Sequence, residues 1–311
     1  MADIAFVFPG QGSQFVGMGR DLYDCFKVAK ETFDVADDIV GFELSKICFN
    51  GPEDKLRETR YTQLAILVHS VAAWRVIEAK APKPDYVAGH SVGEYSALVA
   101  SGALAFIDAL RLVRIRAEAM YEAGVRRPGA MAAILGISDE GLERLLKDVR
   151  EAGTIVAANY NCPGQVVISG EVSAVDRAVE VAKEHGAKRA IKLNVSGAFH
   201  SPLMADAQAK LSEALRVTSF SDARIPVVSN VTAKPVTAKD EIVGVLEKQL
   251  LNPVRWQQSM EFIIGQGVKR FVEVGPGSVL CGLMRRINSD VTCLSCADRA
   301  SVEKFLREVV V

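Results

Sequence analysis

The segment Gly89-His90-Ser91-Val92-Gly93 carries the spacing G-x-S-x-G, which is typical of an activated serine. The apolar residues 85–88 before it predict a strand, and residues 94–100 after it predict a helix. Glycines at both ends would let the strand and the helix approach closely, so that the Ser91 hydroxyl projects into a cleft. The start of the helix would direct free N–H groups at an oxyanion beside it. We predict that Ser91 is a nucleophile; a purely structural turn is the alternative.

A nucleophilic serine needs a general base, and the chain has four histidines. His200 is the best placed, because Ser201 and Pro202 predict that a helix begins directly after it, which leaves His200 on a loop. His90 adjoins Ser91, but strand geometry should direct its side chain the other way. We predict that His200 is the base; a polar loop residue is the alternative.

Arg116 lies in a helix predicted over 106–123, on the same face as Leu112 and Met120. This face should be buried, and a buried arginine is costly unless a carboxylate meets it. Two partners remain open at this point. One is an internal Asp or Glu, and the other is the carboxylate of a substrate, which a guanidinium can bind through two hydrogen bonds.

The loop 9–14 follows an apolar strand predicted at 4–8. It is not a dinucleotide-binding loop, because Phe15 stands where the third glycine of G-x-G-x-x-G is required. Its glycines permit a close approach to a ligand, and Gln11 offers an amide at the carboxyl end of the strand. A polar turn residue is the alternative role of Gln11.

The elements that must position these residues form two patterns. Residues 128–195 predict the order β-α-β-β-α-β, which is a ferredoxin-like unit. Elsewhere strands alternate with helices, which predicts a mostly parallel sheet. Residues 20–40 and 173–185 are helical by pattern, and Thr62 can cap a long helix that runs to about Lys80. We predict an α/β fold with a hydrolase-like large domain, residues 1–127 and 196–311, an inserted ferredoxin-like small domain, residues 128–195, and a ligand cleft between them.

The composition excludes several classes of protein. The chain of 311 residues has a net charge of -1 and no apolar run near the ~20 residues that span a bilayer, so we expect neither nucleic acid nor membrane as a partner. Its first residues lack the basic-then-apolar pattern of a signal peptide, and its six cysteines are scattered. We therefore expect a cytoplasmic protein with reduced thiols, including the C-x-x-C pair Cys293 and Cys296, and no metal site.

With these residues in view, the sequence resembles the malonyl-CoA:acyl-carrier-protein transacylases of fatty-acid synthesis over nearly its full length. The resemblance is carried by FPGQGSQ at 8–14, GHSVGE at 89–94, Arg116 with Met120, NYNCPGQVVISG at 159–170, GAFHS at 197–201, NPVRW at 252–256 and EVGPG at 273–277. Jointly these motifs are highly specific, whereas G-x-S-x-G alone is not.

The resemblance implies a role for each matching residue. Ser91 would accept the acyl group, with His200 as its base in a dyad, and a carbonyl of Gln249 would hold His200 in place of the missing Asp. Gln11 and the N–H of Val92 would form the oxyanion hole. Arg116 would pair with the malonyl carboxylate. The other implied substrate-binding residues are Gln63, Met120, Asn159 and Phe199.

The resemblance also implies the substrates and the setting. Malonyl-CoA and acyl carrier protein would be the partners of a monomer that keeps no cofactor permanently bound. Val92 and Phe199 look like malonyl-selective residues, whereas Gly197-Ala198-Phe199 departs towards polyketide acyltransferases. A basic rim for the carrier protein has candidates in Lys188, Arg189, Arg285 and Arg286, although solvated surface positions are the alternative. Rival functions are a serine esterase or thioesterase, an acyltransferase of a polyketide pathway, and a non-catalytic acyl-CoA-binding protein.

Overall fold

The computed structural model describes residues 3–195 and 197–309. The strands of these ranges are β1 Ile4–Phe8, β2 Tyr86–Gly89, β3 Gly129–Leu135, β4 Ile155–Cys162, β5 Gln165–Glu171, β6 Arg189–Lys192, β7 Val227–Val228, β8 Pro235–Val236, β9 Arg270–Val274 and β10 Thr292–Cys296. The helices are α1 Arg20–Cys25, α2 Lys27–Val40, α3 Leu44–Asn50, α4 Glu53–Arg57, α5 Thr59–Ile77, α6 Gly93–Ala100, α7 Phe106–Arg126, α8 Asp139–Asp148, α9 Val172–Val181, α10 Ala205–Val217, α11 Lys239–Gln249, α12 Trp256–Gly265, α13 Val279–Ile287 and α14 Arg299–Val309.

The large sheet has the strand order β10-β9-β1-β2-β7-β8. Its neighbouring strands are parallel except for the antiparallel pair β7 and β8. All five residues of the central strand β1 are buried, and they alternate between two cores. Phe6 packs edge-on against Trp74 of α5 on one face, while Ala5 and Val7 face the cluster that contains α12 and α13. The apolar run 4–8 is therefore continuous because both faces of the strand are covered.

The small sheet consists of β3 to β6 in the order β4-β5-β3-β6, and every neighbouring pair is antiparallel. Counted within the unit, the order is second, third, first, fourth, which is the ferredoxin-like arrangement. Leu142 and Leu145 of α8 and Val175 and Ala178 of α9 cover one face. The predicted α/β class, with a mostly parallel sheet and a separate antiparallel one, is confirmed. The boundary predicted at residue 196 lies outside the described residues.

Three predicted helices differ from the structure at their ends. The helix predicted over 20–40 is broken at Phe26, whose extended backbone (φ -125°, ψ 117°) separates α1 from α2. Thr62 is not the cap of α5, which begins at Thr59 and ends at Ile77; the Thr62 hydroxyl instead donates to the Leu56 carbonyl. The helix predicted to reach residue 185 ends at Val181. Local pattern sets the existence of these helices, whereas packing sets their ends.

The prediction of six reduced thiols is wrong for one pair. Cys281 in the first turn of α13 and Cys293 on β10 form a disulfide, and Cys25, Cys48, Cys162 and Cys296 are free. Cys281 and Cys293 also form, with Glu273, the group of the described residues that could hold a metal ion, although both sulfurs are already bonded to each other. Within the described ranges, every helix is too short or too polar to cross a membrane.

Candidate active site

Ser91 lies in the turn between β2 and α6, at the carboxyl end of β2, where its side chain can project away from the sheet. Ser91 has a positive φ of 53°, a conformation that L-residues seldom adopt. Gly89 and Gly93 make the turn possible, because a Cβ atom on Gly89 would overlap the Gly93 carbonyl and one on Gly93 would overlap the Phe8 carbonyl. The backbone is therefore packed too closely for any other residue type, as the spacing of the motif predicts.

His200 lies at hydrogen-bond distance from the Ser91 hydroxyl. The two residues are 109 positions apart in the sequence, and the distance from Ser91 Oγ to His200 Nε2 is 2.8 Å. Ser201 and Pro202 open a short helical turn after His200, and the Ser201 hydroxyl accepts a hydrogen bond from the Leu203 N–H. His200 therefore lies on the loop before a helix, at a φ of 56°.

Two backbone carbonyls fix the orientation of the His200 ring. His200 Nδ1 lies 3.0 Å from the Gln249 carbonyl oxygen and 3.1 Å from that of Asn252. Gln249 is the last residue of α11, where helix carbonyls have no partner within the helix. Since a carbonyl only accepts, Nδ1 carries the proton, and Nε2 faces Ser91 with its lone pair.

His200 is neutral in this environment. Burial, and next the charge of Arg116, lower the pKa of His200 to about 3. A neutral imidazole with its Nε2 lone pair directed at Ser91 Oγ can accept the serine proton.

The Arg116 guanidinium is almost completely buried beside the same serine. Arg116 Nη2 donates to Ser91 Oγ at 3.0 Å and to Gln249 Oε1 at 3.0 Å, and Nη1 donates to Gln63 Oε1. No carboxylate of the described residues lies within ion-pair distance of Arg116, so the direct internal salt bridge that the sequence left open is not present. Burial lowers the pKa of Arg116, as expected for a cation without a direct counter-ion.

A cavity of about 590 Å³ joins these side chains and lies between the two sheets. Its floor is the loop 10–14 and the turn 90–92 of the large sheet, and its opposite wall is formed by Met131, Ala133 and Val167 of the small sheet. Ser91, Arg116 and His200 all line it. The cleft predicted between the two sheets is therefore present at the carboxyl ends of the parallel strands, where ligands bind in α/β folds.

The remaining predicted residues are distributed as follows. Met120, Asn159 and Phe199 line the cavity. Gln63 is not among the lining residues; it is fully buried, and its amide contacts Arg116 and, at 3.4 Å, the sulfur of Met120. Gln63 thus orients the arginine in this structure, and a direct contact with the substrate would require it to move.

The two predicted oxyanion-hole residues lie together at the cavity floor. The N–H groups of Gln11 and Val92 have no acceptor among the described residues, and the Gln11 side chain accepts a hydrogen bond from Thr59. Unused backbone N–H groups, of which that of Val92 lies at the start of α6, suit a developing negative charge.

Sequence reasoning missed several residues that hold the turn. Asn230 accepts a hydrogen bond from the Ser91 N–H at 2.7 Å and donates to the Gly89 carbonyl at 2.6 Å, so its amide fastens both sides of Ser91. Asn252 is part of the NPVRW motif, but the sequence does not indicate that its backbone carbonyl bonds His200. His90 bonds Asn161 at 2.9 Å and lines the cavity without bonding Ser91. Contacts between residues this distant along the chain leave no local pattern.

A serine on a strand–turn–helix, a histidine at hydrogen-bond distance and a buried arginine beside both, set at the edge of a parallel sheet, define a serine-type acyl-transfer enzyme. The family model described as "Acyl transferase domain" matches residues 5–303. The malonyl CoA-acyl carrier protein transacylase of Bacillus subtilis (strain 168) is 48% identical over 304 residues, which cover 97% of this chain and 96% of that protein.

Solved structures agree over the whole length. A malonyl-transacylase in complex with its type II PKS acyl-carrier protein has a TM-score of 0.95 and 43% identity, and the match covers 99% of this chain and 100% of that one. The acyl-carrier-protein-S-malonyltransferase of Bartonella henselae has a TM-score of 0.95 and 42% identity, with the same coverage. The chain belongs to the acyl transferase domain family and, within it, to the malonyl CoA-acyl carrier protein transacylases. The resemblance is confirmed.

Proposed function

We propose that this protein transfers the malonyl group of malonyl-CoA to the phosphopantetheine thiol of acyl carrier protein through an ester on Ser91. The names of its relatives support the overall reaction. The observation that carries the proposed route is that Ser91 Oγ lies 2.8 Å from His200 Nε2 and 3.0 Å from Arg116 Nη2. One oxygen is thus within reach of both a base and a cation.

In the first half-reaction, Ser91 Oγ attacks the thioester carbonyl of malonyl-CoA, and His200 Nε2 takes the hydroxyl proton. The imidazolium that forms is stabilised by the carbonyls of Gln249 and Asn252 and by the negative end of the α11 dipole. The tetrahedral intermediate then expels CoA, and the same proton passes from His200 to the departing thiolate. The products are malonyl-Ser91 and free CoA.

The second half-reaction runs the same steps in reverse with a different thiol. The phosphopantetheine thiol gives its proton to His200 and attacks the Ser91 ester, and Ser91 leaves with that proton restored. In both halves the oxyanion would lie against the N–H groups of Gln11 and Val92. Loss of one such donor typically costs about 10² to 10³ in rate.

Arg116 would select the acyl group by pairing with its free carboxylate, with the side chains of Met120, Asn159 and Phe199 around the acyl chain. A charge-assisted pair of this kind discriminates against acetyl groups, which leave the guanidinium unpaired. The proposed chemistry uses side chains and thioester substrates alone, so no resident cofactor or metal takes part.

The main rival is a thioesterase, in which water is the second acceptor. The test is to isolate the malonyl-enzyme by rapid gel filtration and to follow its decay by intact-mass measurement, with and without holo-carrier protein. We expect the ester to persist in buffer and to discharge within the mixing time onto the carrier protein. Decay at equal rates with and without carrier protein would establish the hydrolase instead. A non-catalytic acyl-CoA-binding protein would show no adduct at all.

We further propose that the product, acyl carrier protein loaded with a malonyl group, supplies fatty-acid synthesis in the cytoplasm. A polyketide pathway would use the same product. Four of the six cysteines are free, which fits a reducing compartment. The Cys281–Cys293 disulfide points the other way. Thiol labelling of the protein in freshly lysed cells, followed by mass spectrometry, decides whether that pair is reduced where the protein works.

A further inference from the structure

A carboxyl group that the proposed reaction does not use lies directly behind the active site. Glu94 is in the first turn of α6, three positions after Ser91, and its side chain is only 2% exposed. Its Oε1 accepts a hydrogen bond from the Asn230 N–H at 3.4 Å, and its Oε2 accepts one from Gln249 Nε2 at 2.6 Å. A buried acid in a solvent-excluded site is costly and calls for a reason.

The Gln249 side chain connects this acid to the arginine. Its Nε2 donates to Glu94 Oε2, and its Oε1 accepts from Arg116 Nη2 at 3.0 Å. Because the acid takes the amide N–H, the amide oxygen must face the guanidinium. Gln249 therefore has two separate tasks, since its backbone carbonyl holds His200 while its side chain relays Glu94 to Arg116.

The separation of the two charges by one amide has a physical consequence. A carboxylate in direct contact with Arg116 would occupy the guanidinium and repel the carboxylate of a substrate. A carboxylate one amide away offsets part of the cost of burying the cation, yet leaves N–H groups free. Of the five guanidinium N–H groups, three have acceptors among the described residues, and Nε has none.

The ionisation of the two groups agrees with this arrangement. Burial raises the pKa of Glu94 to about 7, while the hydrogen bond from Gln249 and the charge of Arg116 act in the opposite direction. Above neutral pH the group is a carboxylate, which is the form that its N–H donors favour.

We propose that Glu94 is a positioning residue that, through the Gln249 side chain, orients Arg116 and weakens its attraction for the substrate carboxylate. This inference rests on the proposed function, in which Arg116 binds a malonyl group. The Glu94 carboxyl group is not part of the cavity lining, and it bonds Asn230 and Gln249 rather than Ser91, His200 or Arg116. It sets how tightly a dicarboxylic acyl group is held relative to a neutral one, because its negative charge opposes the second carboxylate that enters the site.

The test measures binding in a Ser91→Ala background, where no turnover occurs. Calorimetry at pH 8.5 compares S91A with S91A/E94Q, using malonyl-CoA and acetyl-CoA as probes. Glutamine keeps an oxygen for Gln249 Nε2 but removes the charge. We expect S91A/E94Q to bind malonyl-CoA roughly threefold to tenfold more tightly, as loss of a nearby like charge predicts, and acetyl-CoA equally well. Unchanged or weaker malonyl-CoA binding would overturn the proposal.

Glu273 provides a matched control for burial and charge. It is fully buried, burial likewise raises its pKa to about 7, and it accepts hydrogen bonds from the N–H groups of Leu280 and Cys281 rather than from Gln249. The E273Q substitution in the same background should leave the ratio of malonyl-CoA to acetyl-CoA affinity unchanged. An equal change of that ratio in both variants would mean a general loss of order, and the proposal would fail.

A third variant moves the charge instead of removing it. In S91A/E94Q/Q249E the carboxylate at position 249 would contact Arg116 directly. The net charge of residues 94, 116 and 249 is the same as in S91A. We expect malonyl-CoA binding at least roughly tenfold weaker than in S91A, because the guanidinium is already paired. Binding as tight as in S91A would contradict the distance argument. Wild-type protein that forms no malonyl ester would refute the proposed function, whereas a normal ester with an inert E94Q refutes only this inference.

Discussion

Two strand–turn–helix units lie at the carboxyl ends of the strands of the large sheet and are built from similar parts. One joins β2 to α6 through Gly89 and Gly93, and the other joins β9 to α13 through Gly275 and Gly277. Each contains a buried glutamate, and each contributes to the cavity wall. The sequence alone gives them comparable patterns.

The difference lies in what satisfies the first N–H groups of the helix. At α13 the Glu273 carboxylate accepts from Leu280 and Cys281, so that this helix start is closed. At α6 the Glu94 carboxylate turns away to Gln249, and the Val92 N–H keeps no acceptor among the described residues. The same unit is therefore a structural cap in one place and a candidate oxyanion site in the other. The direction of the buried glutamate carboxylate therefore decides which of the two roles the helix start has.

The largest expected effect comes from the serine that only the α6 unit carries. Ser91→Ala should abolish the covalent malonyl adduct and lower transfer by about 10⁴-fold or more, since a nucleophile has no substitute. Stopped-flow measurement of CoA release checks this. The matched control is Ser278→Ala, at the start of α13, which should transfer at the rate of the wild type. Normal transfer by the Ser91 variant would remove the α6 turn from the reaction.

The next effect concerns the arginine. Arg116→Ala should lower kcat/KM for malonyl-CoA roughly tenfold to a hundredfold, the value of a hydrogen bond to a charged group, and spare acetyl-CoA. Competition of the two thioesters for one enzyme sample gives the ratio directly. Arg111→Ala, an exposed position on the same helix, serves as control. A parallel loss for both substrates would show that Arg116 supports the site without reading the carboxylate.

The buried glutamate of the second unit should matter for folding instead. Glu273 accepts from the Leu280 N–H through Oε1 and from the Cys281 N–H through Oε2, and Glu273→Gln leaves only one oxygen for these two donors of α13. We therefore expect about 1 kcal/mol less stability and unchanged transfer kinetics. Urea denaturation with the midpoint read by circular dichroism measures the loss. A strong fall in transfer at full stability would mean that the two units are more alike than their hydrogen bonds indicate.

The smallest effect is on pH dependence. A base must be neutral, and the pKa of His200 is lowered from 6.5 to about 3 by burial and next by Arg116. The kcat/KM for acetyl transfer should therefore stay level as the pH falls from 8 to below 6. With an ordinary histidine as the base, it would fall to half its value near pH 6.5. Removal of the Arg116 charge should move the acid limb to higher pH. A midpoint near 6.5 in the wild type would show that His200 is accessible to water.

The accuracy of sequence reasoning follows the length scale of each contact. The turn at Ser91 and the β-α-β-β-α-β order were predictable, because glycine spacing and apolar periodicity act within a few residues. The partners of that turn were not, since Asn230 lies 139 positions from Ser91 and bonds it with a side chain common on any surface. The disulfide was missed for the same reason, because only the packing of α13 on β10 brings its sulfurs together.

The central claim is that Ser91 carries the acyl group while His200 and Arg116 face it. The most direct measurement is tandem mass spectrometry of peptides from protein quenched in acid after seconds with malonyl-CoA. The account predicts a malonyl ester on Ser91 alone, absent in Ser91→Ala and strongly reduced in His200→Ala. A malonyl group on another residue, or an ester on Ser91 that forms equally fast without His200, would contradict it.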